Sequence, residues 1–94
     1  MITRIVKMTF DPAFVTDFPK VFDKVKTRIA ASAGCKGVEL HQDISNNTSF
    51  FTISHWETED ALNIYRGSLL FKETWGVVKQ HFTEKPAAWS LKSI

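Results

Sequence analysis

Apolar residues recur along this chain at two periods, and the switching between them limits the possible folds more than any other feature. Over residues 2–10 the even positions Ile2, Val6, Met8 and Phe10 are apolar, with Arg4 the exception. Thr3, Lys7 and Thr9 between them are polar, and Ile5 breaks the pattern. A period of two is that of a strand, whose successive side chains point to opposite faces. Phe14, Phe18, Phe22, Val25 and Ile29 then fall at helical spacing and give one apolar stripe. Pro19 lies inside that stripe, and proline lacks an amide donor and crowds the preceding turn. Two arrangements accommodate it: a regular helix that starts near Thr16 with Pro19 in its first turn, or a helix kinked at Pro19. Gly34 and Gly37 stand just past the last apolar contact, where glycine takes the left-handed conformation that ends a helix.

The period returns to two from Val38 to Ile44, with Val38, Leu40 and Ile44 on one side and Glu39, His41 and Asp43 on the other. Ser45-Asn46-Asn47-Thr48 is a turn by composition, and Phe50 to Trp56 completes a hairpin. Phe50, Phe51 and Ile53 offer bulk to both faces of that strand. Such a strand needs two covers, helices on one side and a partner sheet on the other. Thr58 followed by Glu59 and Asp60 predicts a helix start, because the acids complement the positive end of the helix dipole. This helix is short, reaching about Arg66 before Gly67-Ser68 interrupts. Phe71, Trp75, Val78 and Phe82 form the stripe of a third helix, and Pro86 precedes a last strand on which Trp89 and Leu91 share a face. The order predicts an α+β chain, the ferredoxin-like βαββ(αα)β pattern, with a four-stranded antiparallel sheet and helices on one face.

Ninety-four residues suit a single domain spanning 1–94. The 8 Phe, 3 Trp and 1 Tyr are more bulk than so small a domain readily hides by itself, which predicts a homodimer formed through sheet packing. The 12 basic and 10 acidic residues are spread along the chain, so nucleic acid is not an expected partner. Cys35 is the only cysteine; it cannot form an internal disulfide, and no metal-ligand cluster is possible around it. Charges interrupt Met1 to Lys7 every few positions, so this segment is neither a signal peptide nor a membrane span. A cytoplasmic protein with no membrane partner is the expectation.

Several local patterns resemble one family. Gly34-Cys35-Lys36-Gly37 resembles the Gly-Cys-x-Gly that ends the first helix of the antibiotic biosynthesis monooxygenase family of dimeric α+β barrels. Trp56-Glu57-Thr58 resembles its Trp-Glu-Ser/Thr after strand three, followed as there by Asp60-Ala61-Leu62, Ser68 and Phe71, and Trp89 looks like its final-strand tryptophan. The resemblance covers essentially the whole chain and implies cofactor-free oxygenation of a small quinol-like or anthrone-like aromatic, with no metal or cofactor. Haem-degrading relatives carry an asparagine on strand one, a tryptophan on helix two and an iron-ligating histidine ten residues later. Those last two positions hold Tyr65 and Trp75 here, and strand one has no asparagine. Trp75 cannot ligate iron, so haem degradation of that type is not expected. Two further departures are Leu70, where many members have a histidine, and Ser54, where they often have an acid.

Cofactor-free oxygenation needs an apolar cavity for a flat phenol or quinol, a base near neutrality and room for oxygen. His41 and His55, on the two arms of the hairpin, are the candidate catalytic bases. The plainer alternative is that they fill the dimer interface or pair with Glu39, Asp43 or Glu57. Ser54, Tyr65, Phe71 and Trp75 are the candidate substrate-binding residues, with core filling as the alternative for Tyr65 and Trp75. His81 is expected to be a solvated helix residue, and Cys35 and Trp56 structural. Two classes stay open, a cofactor-independent monooxygenase and a non-catalytic dimeric domain that binds a small apolar molecule.

Overall fold

In the computed structural model, which describes residues 1–94, the strands β1 (Ile2–Thr9), β2 (Cys35–Gln42), β3 (Ser49–Trp56) and β4 (Ala87–Lys92) form one antiparallel sheet. Their order is β2-β3-β1-β4. The two central strands, β1 and β3, have no exposed residue, whereas most of the edge strand β4 is exposed, since a central strand is flanked on both edges. Arg4 lies opposite Ser54, Val6 opposite Thr52 and Met8 opposite Phe50. This register puts the even-numbered residues of both strands on one face. The helices α1 (Phe18–Ala30), α2 (Glu59–Arg66) and α3 (Leu69–Val78) cover that face. The arrangement is the ferredoxin-like α+β fold that the alternation of periods predicts. The opposite face carries Ile5, Phe51 and Ile53, all partly exposed, with Trp89 46% and Leu91 49% exposed at its β4 edge. No helix is long and apolar enough to cross a membrane.

The first apolar stripe is divided rather than continuous. Pro12–Phe14 forms a separate 3-10 turn, begun by the Asp11 carboxylate accepting from the Ala13 amide at 2.9 Å. The regular helix starts at Phe18 with Pro19 in its first turn, where the missing amide donor costs no intrahelical bond. Of the two arrangements open in the sequence, this is the first, begun two residues later than Thr16. The break lets Phe14 and Phe18 approach Phe10 from two directions, with ring centroids 5.1 and 4.5 Å away. Phe10 is fully buried at the centre of a cluster with Met8, Phe50 and Val78. A second cluster, Phe22, Ile29 and Val38, fixes the far half of α1 over β2.

Gly34 takes a φ of +78° between α1 and β2. A β-carbon there would lie 2.6 Å from the Ala61 β-carbon, so glycine lets this loop press against α2. Thr58 caps α2 by accepting from the Ala61 amide at 3.1 Å. Ser68 joins the two short helices: its hydroxyl donates to the Tyr65 carbonyl at 2.6 Å and accepts from the Phe71 amide at 3.2 Å. The third helix ends at Val78 and does not extend through Phe82. Residues 79–81 tighten into a 3-10 turn, and Phe82 pairs with Phe10 as an isolated bridge. The amides of Asp11 and Thr83 donate to His81 and Thr9 carbonyls at 2.9 and 3.0 Å, drawing this segment onto the end of β1. Packing of Phe82 on Phe10, centroids 5.3 Å apart, outweighs its helical spacing.

Candidate functional site

A strand face carrying Thr52 and Ser54 rather than large apolar residues cannot fill the space beneath three helices. A cavity of about 330 Å³ remains between sheet and helices. Arg4, Val6 and Met8 of β1 and Thr52 and Ser54 of β3 form its floor, and Ala88 of β4 lies at one side. Phe18, Phe22 and Val25 of α1 wall it opposite Tyr65, Arg66, Phe71, Thr74 and Trp75 of α2 and α3. Most of the lining is apolar, with hydroxyls and two guanidinium groups as the polar exceptions.

The aromatic wall is continuous. Tyr65 stacks on Trp56 at 4.9 Å and meets Phe71 edge-on at 5.4 Å, and Phe71 stacks on Trp75 at 5.7 Å with 10° between the planes. Trp75 meets Phe82 edge-on at 5.4 Å. Trp56 is fully buried, and its indole N–H donates to the Ser54 hydroxyl at 2.9 Å. A serine hydroxyl that accepts one bond still has its own O–H to donate. Ser54 thus anchors the base of the wall and keeps a donor for the cavity it lines. Burial, and to a lesser extent the charge of Cys35, pushes the Tyr65 phenol up to about 12. At neutral pH Tyr65 is therefore a donor and not a base.

Ser54, Tyr65, Phe71 and Trp75, singled out from the sequence as substrate-binding residues, are brought together around this one cavity. The histidines are not. His41 is an exposed residue of β2 whose Nε2 lies 3.4 Å from the Glu39 carboxylate. His55 sits on β3 one residue out of register with Ser54, and its Nδ1 lies 3.2 Å from the Thr3 hydroxyl. Both point away from the helices, so the expectation that they act as bases on a ligand here is not met by their placement. The strand period contains the reason: His55 alternates with the cavity residue Ser54 and the buried Trp56, and His41 alternates with the buried Val38 and half-buried Leu40. His81 is not a solvated helix residue; it stacks on Phe14 at 3.8 Å, nearly parallel. Cys35 is half-buried at the start of β2, its thiol 3.7 Å from the Gly37 carbonyl. No three His, Cys, Asp or Glu side chains gather where they could hold a metal ion.

Arg4 and Arg66, which the sequence did not single out for chemistry, also line the cavity. Arg4 enters the even-numbered, helix-facing row of β1, and its Nη1 donates to the Ser90 hydroxyl at 2.9 Å across the strand pair. Arg66 comes from the last turn of α2. Burial first, and the like charge of Arg66 second, lower the pKa of Arg4. The signal was present in the sequence as the one charge in an otherwise apolar alternation.

The fold is that of known structures. A crystal structure of an antibiotic biosynthesis monooxygenase superposes with a TM-score of 0.92 at 15% identity, covering 100% of this chain and 99% of that one. A Bordetella bronchiseptica protein that carries the same family name superposes with a TM-score of 0.88 at 26% identity, covering 99% and 96%. Rv0793 from Mycobacterium tuberculosis gives 0.89 at 18% identity, covering 99% and 94%. No curated protein matches the sequence. The sequence pattern of the antibiotic biosynthesis monooxygenase family, however, matches residues 1–75, a span that includes β1 to β3, the first two helices and the aromatic wall to Trp75. The chain belongs to the antibiotic biosynthesis monooxygenase family.

Proposed function

We propose that this chain is a cofactor-independent monooxygenase that oxidises a small flat aromatic, of the hydroquinone or anthrone kind, with O2. The observation that carries this reading is the cavity of about 330 Å³ walled by Tyr65, Phe71 and Trp75. Flat apolar molecules are held by such walls, with a few polar groups setting their orientation. The substrate anion gives one electron to O2, and the radical pair combines to form a carbon–oxygen bond. The resulting peroxide loses water to leave a carbonyl, so one oxygen atom enters the product and the other leaves as water. For an anthrone this removes both hydrogens of its methylene group. The protein's part is to hold the ring, exclude bulk water and direct hydroxyl donors such as Tyr65 and Ser54 at the substrate oxygen.

The test is oxygen uptake on a panel of anthrones and hydroquinones with chelator present and no added cofactor. Uptake well above buffer on at least one compound is expected, and it should be unchanged in His41→Ala and His55→Ala. Uptake at the buffer rate across the panel would leave the second reading, a dimeric domain that binds a small apolar molecule without converting it. That reading is favoured by one observation: no histidine, aspartate or glutamate lines the cavity.

The same reading takes residues 1–94 as one domain that works as a homodimer in the cytoplasm. The sheet face bearing Ile5, Phe51 and Ile53, with half-exposed Trp89 and Leu91, supports packing against a second copy. A lone free cysteine suits a reducing compartment.

A further inference from the structure

We infer that Arg4 and Arg66 form an anion-holding end of the cavity, so that its ligand is a planar phenol or enol bound as the oxyanion and ionised by these two charges instead of by a side-chain base. Arg4 occupies a row continued by Val6 and Met8 beneath the helices. Its guanidinium is half-buried and partly withdrawn from water, which strengthens its attraction for an opposite charge. The chain provides none. The side-chain partner of Arg4 is the neutral Ser90 hydroxyl, and the two ion pairs of the chain, Lys36 with Glu57 and His41 with Glu39, involve neither arginine. The titratable groups lining the cavity are Arg4, Arg66 and Tyr65 alone, with no carboxylate, histidine or lysine. Tyr65 keeps its proton and adds no negative charge.

Two cations without a carboxylate partner, the half-buried Arg4 and the exposed Arg66 at the mouth of apolar walls, favour a ligand with a flat apolar body and one anionic oxygen. Ionisation breaks the ligand's O–H bond, leaves the electron pair on oxygen and releases the proton to water. Arginine stays charged at neutral pH, so the field is permanent. The inference deepens the proposed oxygenase, and its catalytic consequence rests on that reading; ionised binding itself is measured without oxygen.

The experiment titrates 2-naphthol bound to the full chain under nitrogen, following the absorbance of the naphtholate, and compares wild type with Arg4→Gln and Arg66→Gln. Binding of 2-methylnaphthalene, followed by tryptophan fluorescence, is the uncharged control. In the wild type the bound naphthol should ionise with a pKa about 1–2 below its value in water. Each substitution should take back a substantial part of that change and leave methylnaphthalene binding unaltered. Circular dichroism checks folding. Should Arg4→Gln fail to fold, Arg66→Gln, at an exposed helix end, decides the matter alone. Naphthol that binds with an unlowered pKa, or with an equal lowering in the variants, overturns the inference while sparing the cavity as a ligand site. If neither probe binds, the cavity itself fails as a ligand site, and the oxygenase reading fails with it.

Discussion

Tyr65 is the only tyrosine of the chain, which makes its ionisation directly visible. Its phenol is pushed from 10.0 to about 12 by burial, so tyrosinate absorbance should rise near that higher pH in the folded protein and near 10.0 after unfolding in urea. The sign for stability follows. Below the unfolded value both states hold the proton; between the two values only the folded state does, so stability falls as pH rises through that window. Tyr65→Phe should lose less stability across the same window, as urea titrations at its two ends would show. Ser54 offers a second residue-level test. Its hydroxyl is the acceptor for the fully buried Trp56 indole, so Ser54→Ala should cost about 1–3 kcal/mol in urea denaturation. Substitution of the exposed His41 should cost nothing measurable. At this scale the sequence was readable in part. Ser54 drew notice only because it replaces an acid of the family, whereas its bond to Trp56 spans two positions of one strand and belongs to the fold. Arg4 was visible as a misfit in an apolar row, but its meaning depended on which face the helices cover. The histidines misled because chemistry at neutral pH drew attention to residue type, while the strand period already assigned them to the other face.

Among the elements, the strands, the hairpin and the three helices followed from period and capping, because each rests on interactions within a few residues. Boundaries set by distant contacts did not. The split between the 3-10 turn and α1 depends on Phe10 receiving Phe14 and Phe18 together, and the end of α3 depends on Phe82 joining Phe10. The Gly34 loop gives the clearest element-level prediction. Gly34→Ala places a side chain at positive φ and 2.6 Å from the Ala61 β-carbon. Backbone strain of that kind costs roughly 1–3 kcal/mol before the clash is counted. The thermal midpoint should drop clearly, and the partly exposed Gly76, where an added β-carbon meets nothing within 4 Å, serves as the control in Gly76→Ala. An unchanged midpoint for Gly34→Ala would mean that the loop does not press on α2 as described.

For the whole molecule, the sheet has one face filled by helices and a cavity and another that the chain leaves half exposed. If a second copy covers that face, sedimentation should give about twice the chain mass of 10.7 kDa. Ile53→Glu, which puts a charge into the centre of that face opposite Ile5, should yield a folded monomer. The central claim is that the space between sheet and helices is where the substrate is oxidised, and blocking that space tests it most directly. Thr74 lines the cavity from α3 and is partly exposed, so Thr74→Trp should fill it without disturbing the buried core. Oxygen uptake would be measured for wild type and Thr74→Trp on the best anthrone or hydroquinone, with thermal midpoints recorded alongside. The account predicts that Thr74→Trp keeps its midpoint and loses at least nine-tenths of the rate, about 1.4 kcal/mol or more in the barrier. A folded Thr74→Trp protein that consumes oxygen as fast as the wild type would contradict it.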